Sequence, residues 1–273
     1  PFLFFVVVHL MPLGPIWTGM TWSDALALLT LYTSGIFGIS AGYHRYFSHR
    51  TYRTGRVMQF LLNALGCLSF QRLFRWAAQH RHHHRVSDTE RDFHSPIRGF
   101  LWSHMLWMFQ SRDFKKIEST VADLTRYPEL RLLDRYYFVP ALLALVVCFY
   151  VGGMSMVFGG FFLSVVCVWH ITFSINSITH IIGSRRYATD DTSKNSPILS
   201  LLSFGEGWHN NHHHFSSASQ QGFFWWEVDL TYYILNIFSW FRLVSDLRAV
   251  PKSIRERNRL LPGAIDQAEI RVN

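Results

Sequence analysis

The stretch Gly42-Tyr-His44-Arg-Tyr-Phe-Ser-His49 closes an apolar run that begins near Ala25, and its reading decides the fold. A helix needs about 20 apolar residues to cross a bilayer, and this run delivers two histidines at its end. Two further boxes share the pattern: His80-Arg-His82-His83-His84 and His209-Asn-Asn-His212-His213-His214. The spacings are HxxxxH, HxxHH and HxxHH, each beside an apolar segment. Imidazole suits iron, zinc, copper and nickel. Eight histidines in these spacings exceed the needs of one ion, so the sequence points to a two-metal centre at a membrane surface.

On a helix, positions i, i+3 and i+4 share one face. His80, His83 and His84 therefore point to one place, as do His209, His212 and His213. His44 and His49 stand five apart, about 140° around a regular helix, so they share a site only if the helix ends or bulges between them. Gly205 and Gly207 allow a sharp turn into the third box. His180 lies one turn after Asn176 near the end of an apolar run, where polar side chains are costly unless used. Asn is a poor direct ligand but can hold a metal-bound water. Nine imidazoles would then serve two ions with four or five each. His82 and His214 fall off the ligand face. His9, His94, His104 and His170 read as solvated side chains at the membrane surface.

Composition agrees with a membrane protein. Of 273 residues, 49% are hydrophobic, 16% aromatic and only 16% charged, against about 25% charged in soluble domains. The net charge of +8 suits anionic lipid headgroups or an acidic partner. No compact basic module suggests nucleic-acid binding. Cys67, Cys148 and Cys167 lie in apolar stretches without metal spacing and read as core. The chain begins at Pro1 and not at Met, so a preceding segment is expected.

Four apolar runs read as spans: residues 2–17, 25–43, 136–152 and 157–183. The turns at 18–24 and 152–156 hold no Lys or Arg, whereas Arg45, Arg50, Arg81, Arg85, Arg185 and Arg186 flank the boxes. The positive-inside bias then places both termini and all boxes in the cytoplasm. Met58–Phe70, Phe100–Phe109 and Phe223–Val244 read as interfacial helices, Asp190–Ser196 as a polar loop, and 251–273 as a solvated tail. The expected architecture is one all-α integral membrane domain over 1–273, with a cytosolic helical cap built from 44–135 and 184–273.

With these motifs the chain resembles the membrane fatty acyl desaturases, most closely the stearoyl-CoA (delta-9) branch. The likeness rests on Gly42-Tyr-His-Arg-Tyr-Phe-Ser-His-Arg-Thr-Tyr52, Trp76 before the second box, Asn176-Ser-Ile-Thr-His180 and Gly205-Glu-Gly-Trp-His-Asn-Asn-His-His213. It implies a di-iron centre on His44, His49, His80, His83, His84, His180, His209, His212 and His213, with Asn176 acting through water. It implies an O2-dependent enzyme that inserts a cis double bond into a saturated acyl chain held by CoA or lipid. Trp76 and Trp226 match positions lining the acyl tunnel, Arg98 a basic position near the carrier headgroup, and Tyr32 and Ile36 positions closing the tunnel. Between the first and second boxes the chain reads Phe70-Gln-Arg-Leu-Phe-Arg-Trp76 with Gln79 before His80, departing from the acyl-CoA members. No cytochrome b5-like His-Pro-Gly-Gly motif is present. Electrons then come from a separate protein of ferredoxin, rubredoxin or cytochrome b5 type. Zinc binds more tightly than Fe(II) in the general order, so an overexpressed sample is expected to carry zinc in place of iron.

The sequence leaves alternatives open. A related membrane di-iron fatty acid hydroxylase or alkane monooxygenase would use the same centre. A metal transporter or sensor fits less well, because transporters bind at the midplane between repeated halves and no repeat is visible.

Overall fold

Thr21 starts the helix that carries the first box. Its hydroxyl accepts the Asp24 N–H (3.2 Å), and the Asp24 carboxylate accepts the Thr21 N–H (2.8 Å), which satisfies two otherwise orphaned donors. The helix runs over Trp22–Phe37 and continues as a π-helix over Gly38–Ser48 in the computed structural model, which describes residues 2–110 and 115–260. A π turn closes i to i+5, and the His49 N–H reaches the His44 carbonyl at 3.2 Å. This is the bulge that the HxxxxH spacing requires. It brings the two rings to 4.9 Å.

The Arg56–Cys67 helix crosses the widened segment at two glycines. A Cβ on Gly38 would stand 2.3 Å from the Gly66 nitrogen, and one on Gly66 would stand 2.4 Å from the Tyr43 ring. Tyr43 is fully buried there, its hydroxyl donating to Asn63 Oδ1 (3.1 Å) and the Gln71 carbonyl (2.9 Å). The Leu73–Val86 helix follows and carries the second box.

Val139–Ile181 is one apolar run without Asp, Glu, Lys or Arg. It breaks at Gly153, whose φ of 64° and ψ of −155° suit only glycine. Ala141 and Cys148 before the break share a core cluster with Phe161, Val165 and Trp169 after it, joined by Val8 of the first helix. Trp22–Ser48 and Val139–Ile181 are long and apolar enough to cross a membrane, and Phe2–Thr18 is a shorter apolar helical stretch.

The remaining described chain consists of short helices joined by irregular loops, with isolated bridges and a two-residue ladder, Arg53–Thr54 against Val244–Ser245. It is anchored by Arg45, which is buried and bonded to Glu206 (3.0 Å), Asp229 (3.0 Å) and the Ser219 carbonyl (2.7 Å). A buried guanidinium tolerates such a place only when its charge is met this fully.

The expected tail needs correction up to residue 260. Ala188 N–H donates to the Asn258 carbonyl and Leu260 N–H to the Arg186 carbonyl, both at 2.8 Å. Val250 and Ile254 pack with Tyr187 and Phe223. This segment is docked because its backbone pairs with residues 186–188. The rest of the expected tail, 261–273, lies outside the described residues.

Gly38→Ala should destabilise the protein by about 1–3 kcal/mol, the usual cost of overpacking, because the new methyl meets backbone. Thermal unfolding in detergent should show a lower midpoint, while Gly55→Ala, with nothing within 4 Å, should leave it unchanged. An unshifted midpoint for Gly38→Ala would deny the close crossing.

Candidate metal centre

The widened first helix, the second-box helix and the short His209–His214 helix converge on the end of the Leu163–Ile181 helix. They gather nine histidines into two groups. His44, His49, His80, His84 and His212 form one; His83, His180, His209 and His213 form the other. In the first group the Nε2 atoms face one another: His44 to His212 at 3.0 Å, His49 to His80 at 2.8 Å, His80 to His84 at 3.0 Å and His84 to His212 at 2.9 Å. In the second, His180 Nε2 lies 3.0 Å from His209 Nε2, and His213 Nε2 is buried without a hydrogen-bond partner among the described residues.

Carboxylates stand behind the rings. Glu206 contacts His44 Nδ1. Asp92 lies 2.8 Å from His83 Nδ1, Asp88 3.1 Å from His180 Nδ1, and Asp191 2.6 Å from His213 Nδ1. Each carboxylate accepts the Nδ1 proton, which leaves the Nε2 lone pair aimed inward. Such outer partners commonly orient metal-bound imidazoles.

The electrostatics act in the same direction. Burial holds His49, His80, His84, His209 and His212 well below the ordinary imidazole range, with neighbouring histidines adding to the effect. These rings are neutral, the form that binds metal. Burial alone would raise Glu206 and Asp88. His44 and Arg45 outweigh it for Glu206, and His180 for Asp88, bringing each down to about 2. Asp92 and Asp191 are likewise held below the carboxylate range against burial, by His83 and His94 and by His213. Lone pairs facing lone pairs about 3 Å apart repel unless a cation lies between them. Ligands about 2.0–2.1 Å from an ion and about 90° apart have that separation, so the residues fit metal.

A cavity opens onto both groups, lined by Ile36, Ile39, Trp76, Ile175, Asn176 and Glu206 among others. Trp76 stacks on His80 with ring centres 5.0 Å apart. Of the other expected substrate residues, Tyr32 lies outside this lining, its hydroxyl donating to the Leu202 carbonyl at 2.7 Å. Trp226 is 53% exposed, stacks on Phe224 and does not line the cavity. Arg98 lies over Trp102 at 4.6 Å, also away from the lining.

None of the four histidines expected to be solvated is so; His9 is half-buried and bonded to the Phe5 carbonyl at 2.8 Å. His94 is buried against His83 with ring centres 4.4 Å apart, and burial brings it down to about 3. His104 is buried and His170 half-buried, linked to each other at 2.9 Å and to Ser177 and His9 at 2.9 and 3.0 Å. The apolar walls that bury them come from distant segments. The four carboxylates behind the rings were missed as site residues. Their signal was available: Asp88 and Asp92 follow the second box closely in a chain poor in acids.

The fatty acid desaturase family model matches residues 20–236. The chain belongs to the fatty acid desaturase family. It is 37% identical to Delta-9 acyl-lipid desaturase 2 of Arabidopsis thaliana, over 93% of this chain and 83% of that protein. It is 35% identical to an sn-1 stearoyl-lipid 9-desaturase of Anabaena variabilis, over 92% and 93% of the two chains. An sn-2 palmitoyl-lipid 9-desaturase of Nostoc sp. is 34% identical, over 91% and 90%. This desaturase is thus an oxidoreductase that introduces a double bond into a fatty acyl chain. Family and histidine groups together indicate a metal centre.

Asp191→Asn should weaken metal binding about 10–100-fold, the usual effect of losing such an outer partner. Chelator competition followed by metal analysis would measure it, and equal retention would deny the carboxylate this role. His83→Ala and His212→Ala should each abolish desaturation in a chain that still inserts into membranes.

Proposed function

We propose that the chain holds two iron ions, one in each histidine group, and inserts a cis double bond at the delta-9 position of a saturated, lipid-linked acyl chain. The observation that carries this is the division of nine inward-facing histidines into groups of five and four beside a largely apolar cavity. When bound, the metal supplies the oxidant that an unactivated C–H bond requires and that acid–base side chains lack. The protein's part is placement. Ile36, Ile39 and Ile175 give the chain an apolar wall, Trp76 fixes the His80 ring, and Asn176 lies where its amide can hold a water.

A lipid carrier is favoured over CoA by two features and by the names of the relatives. Gln79 is buried, and Arg72 is already paired with Asp134 at 2.7 Å, so neither is poised to grip a CoA headgroup. The relatives described above, at 34–37% identity, are named for acyl-lipid substrates, and two at 30% and 32% are named for acyl-CoA.

The proposed membrane arrangement has four spans: Phe2–Thr18, Trp22–Ser48 and the two halves of Val139–Ile181 on either side of Gly153. The basic residues beside the boxes then put both termini and the metal centre on the cytoplasmic face. Electrons reach that face from a separate donor protein.

Expression in a desaturase-deficient host, with gas chromatography of the fatty acid methyl esters, should show a cis delta-9 monoene recovered from membrane lipid. A hydroxylated product would replace this reading with the hydroxylase one. Product first seen as acyl-CoA would overturn the lipid carrier.

Ile36→Ala should shift the products toward longer chains, since each methylene in an apolar pocket discriminates by about 1–3 kcal/mol. An unchanged chain-length profile would remove Ile36 from the end of the tunnel.

A further inference from the structure

Two basic surfaces flank the histidine groups, and they differ in one respect. On the first, Arg50 and Arg81 are both paired with Asp123, Arg56 with Glu129 and Arg72 with Asp134. The charge of these four is already answered within the chain, whereas Arg85 beside them bonds only to the Arg81 carbonyl among the described residues. The second is the docked C-terminal segment, where Arg248, Lys252, Arg255, Arg257 and Arg259 face a single acid of their own stretch, Glu256. Among the described residues none of these five forms an ion pair; Arg259 lies over the Phe224 ring at 5.6 Å. Lys252, Arg257 and Arg259 are exposed.

A short path joins this segment to the four-histidine group. His213 belongs to that group, and His214 is the next residue. His214 Nε2 donates to the Ile254 carbonyl at 2.8 Å. The His214 ring stacks on Tyr187 with centres 4.0 Å apart and planes within 6°. Tyr187 is fully buried, and its hydroxyl donates to the Arg255 carbonyl at 3.0 Å. One hydrogen bond and one peptide bond thus separate the Ile254 carbonyl of the basic segment from a residue of the metal pocket. His214 falls off the ligand face, yet it is the ring that ties the pocket to the surface.

We propose that residues 248–259 form the docking surface for the electron donor, a small acidic one-electron carrier protein, with Tyr187 and His214 holding that surface close to the four-histidine group. The proposal rests on the desaturase reading above and names the partner's face. The balance fixes what the partner does. Each new double bond releases two hydrogens from the acyl chain. Two donor molecules, each oxidised by one electron, supply two further electrons, and solvent supplies two protons. Together these reduce one O2 to two waters. Unanswered positive charge at the landing site steers an acidic carrier and raises its association rate by about 10–1,000-fold at low salt. The gain fades as the screening length falls to about 8 Å near 0.15 M salt.

Anionic lipid headgroups are the other chemistry that such a segment fits, and the test separates the two. The full metal-loaded chain is placed in nanodiscs of zwitterionic phosphatidylcholine. Double-bond formation is followed with reduced [2Fe–2S] ferredoxin as the acidic donor and, separately, with dithionite alone. In the Lys252→Glu, Arg257→Glu, Arg259→Glu variant the donor KM should rise at least tenfold at low salt. The salt dependence seen in the wild type should disappear, and the dithionite-driven rate should be unchanged. Lys252→Gln, Arg257→Gln, which removes charge without reversing it, should lie between. A variant with wild-type donor KM and salt dependence overturns the proposal. So does a loss shared equally by dithionite, or an effect seen only when the discs contain anionic lipid. A wild type that forms no double bond with either reductant overturns the desaturase reading, and the docking surface with it.

Discussion

The structure depends on keeping nine imidazoles turned toward one another in two tight groups. Left alone, such an arrangement repels itself. Carboxylates keep four of the rings, His44, His83, His180 and His213, from turning away: each takes an Nδ1 proton and so fixes which nitrogen faces inward. A buried carboxylate is costly unless met by charge or hydrogen bonds. Here each acid makes the other's burial tolerable, imidazole for carboxylate, with Arg45 closing the circuit at Glu206. The fold serves that geometry. The π-widened turn, the glycine crossing at Gly38 and the docked His209–His214 helix each correct the aim of one or two rings.

How much of this was legible follows from what is local. The two HxxHH boxes were readable because helix geometry alone puts i, i+3 and i+4 on one face. The HxxxxH box was readable as a demand: a bulge had to lie between His44 and His49, and the π-helix supplies it. His180 was visible because imidazole is conspicuous in an apolar run. The family resemblance drew on the same motifs.

What stayed hidden depends on contacts between distant segments. Asp191 sits in a loop with no period to betray it, and only folding brings it to His213. His94, His104 and His170 read as solvated because nothing near them in sequence announces the walls that bury them. Trp226 shows the reverse failure, a motif position that packs on the surface against Phe224. The segment after Val250 read as tail because its partners, residues 186–188, lie more than sixty positions earlier.

The two histidine groups are unequal. Behind the four-histidine group stand three aspartates, Asp88, Asp92 and Asp191; behind the five-histidine group stands Glu206 alone, and its charge is shared with Arg45. Identical divalent ions placed in the two would meet different fields. One pocket carries enough fixed negative charge to neutralise its ion, whereas the other leaves most of the ion's charge uncompensated. Such a pair is polarised from the start. Were each group to take a divalent ion, the aspartate-backed pocket would fill first, and a half-loaded protein would be a single chemical species instead of a statistical mixture.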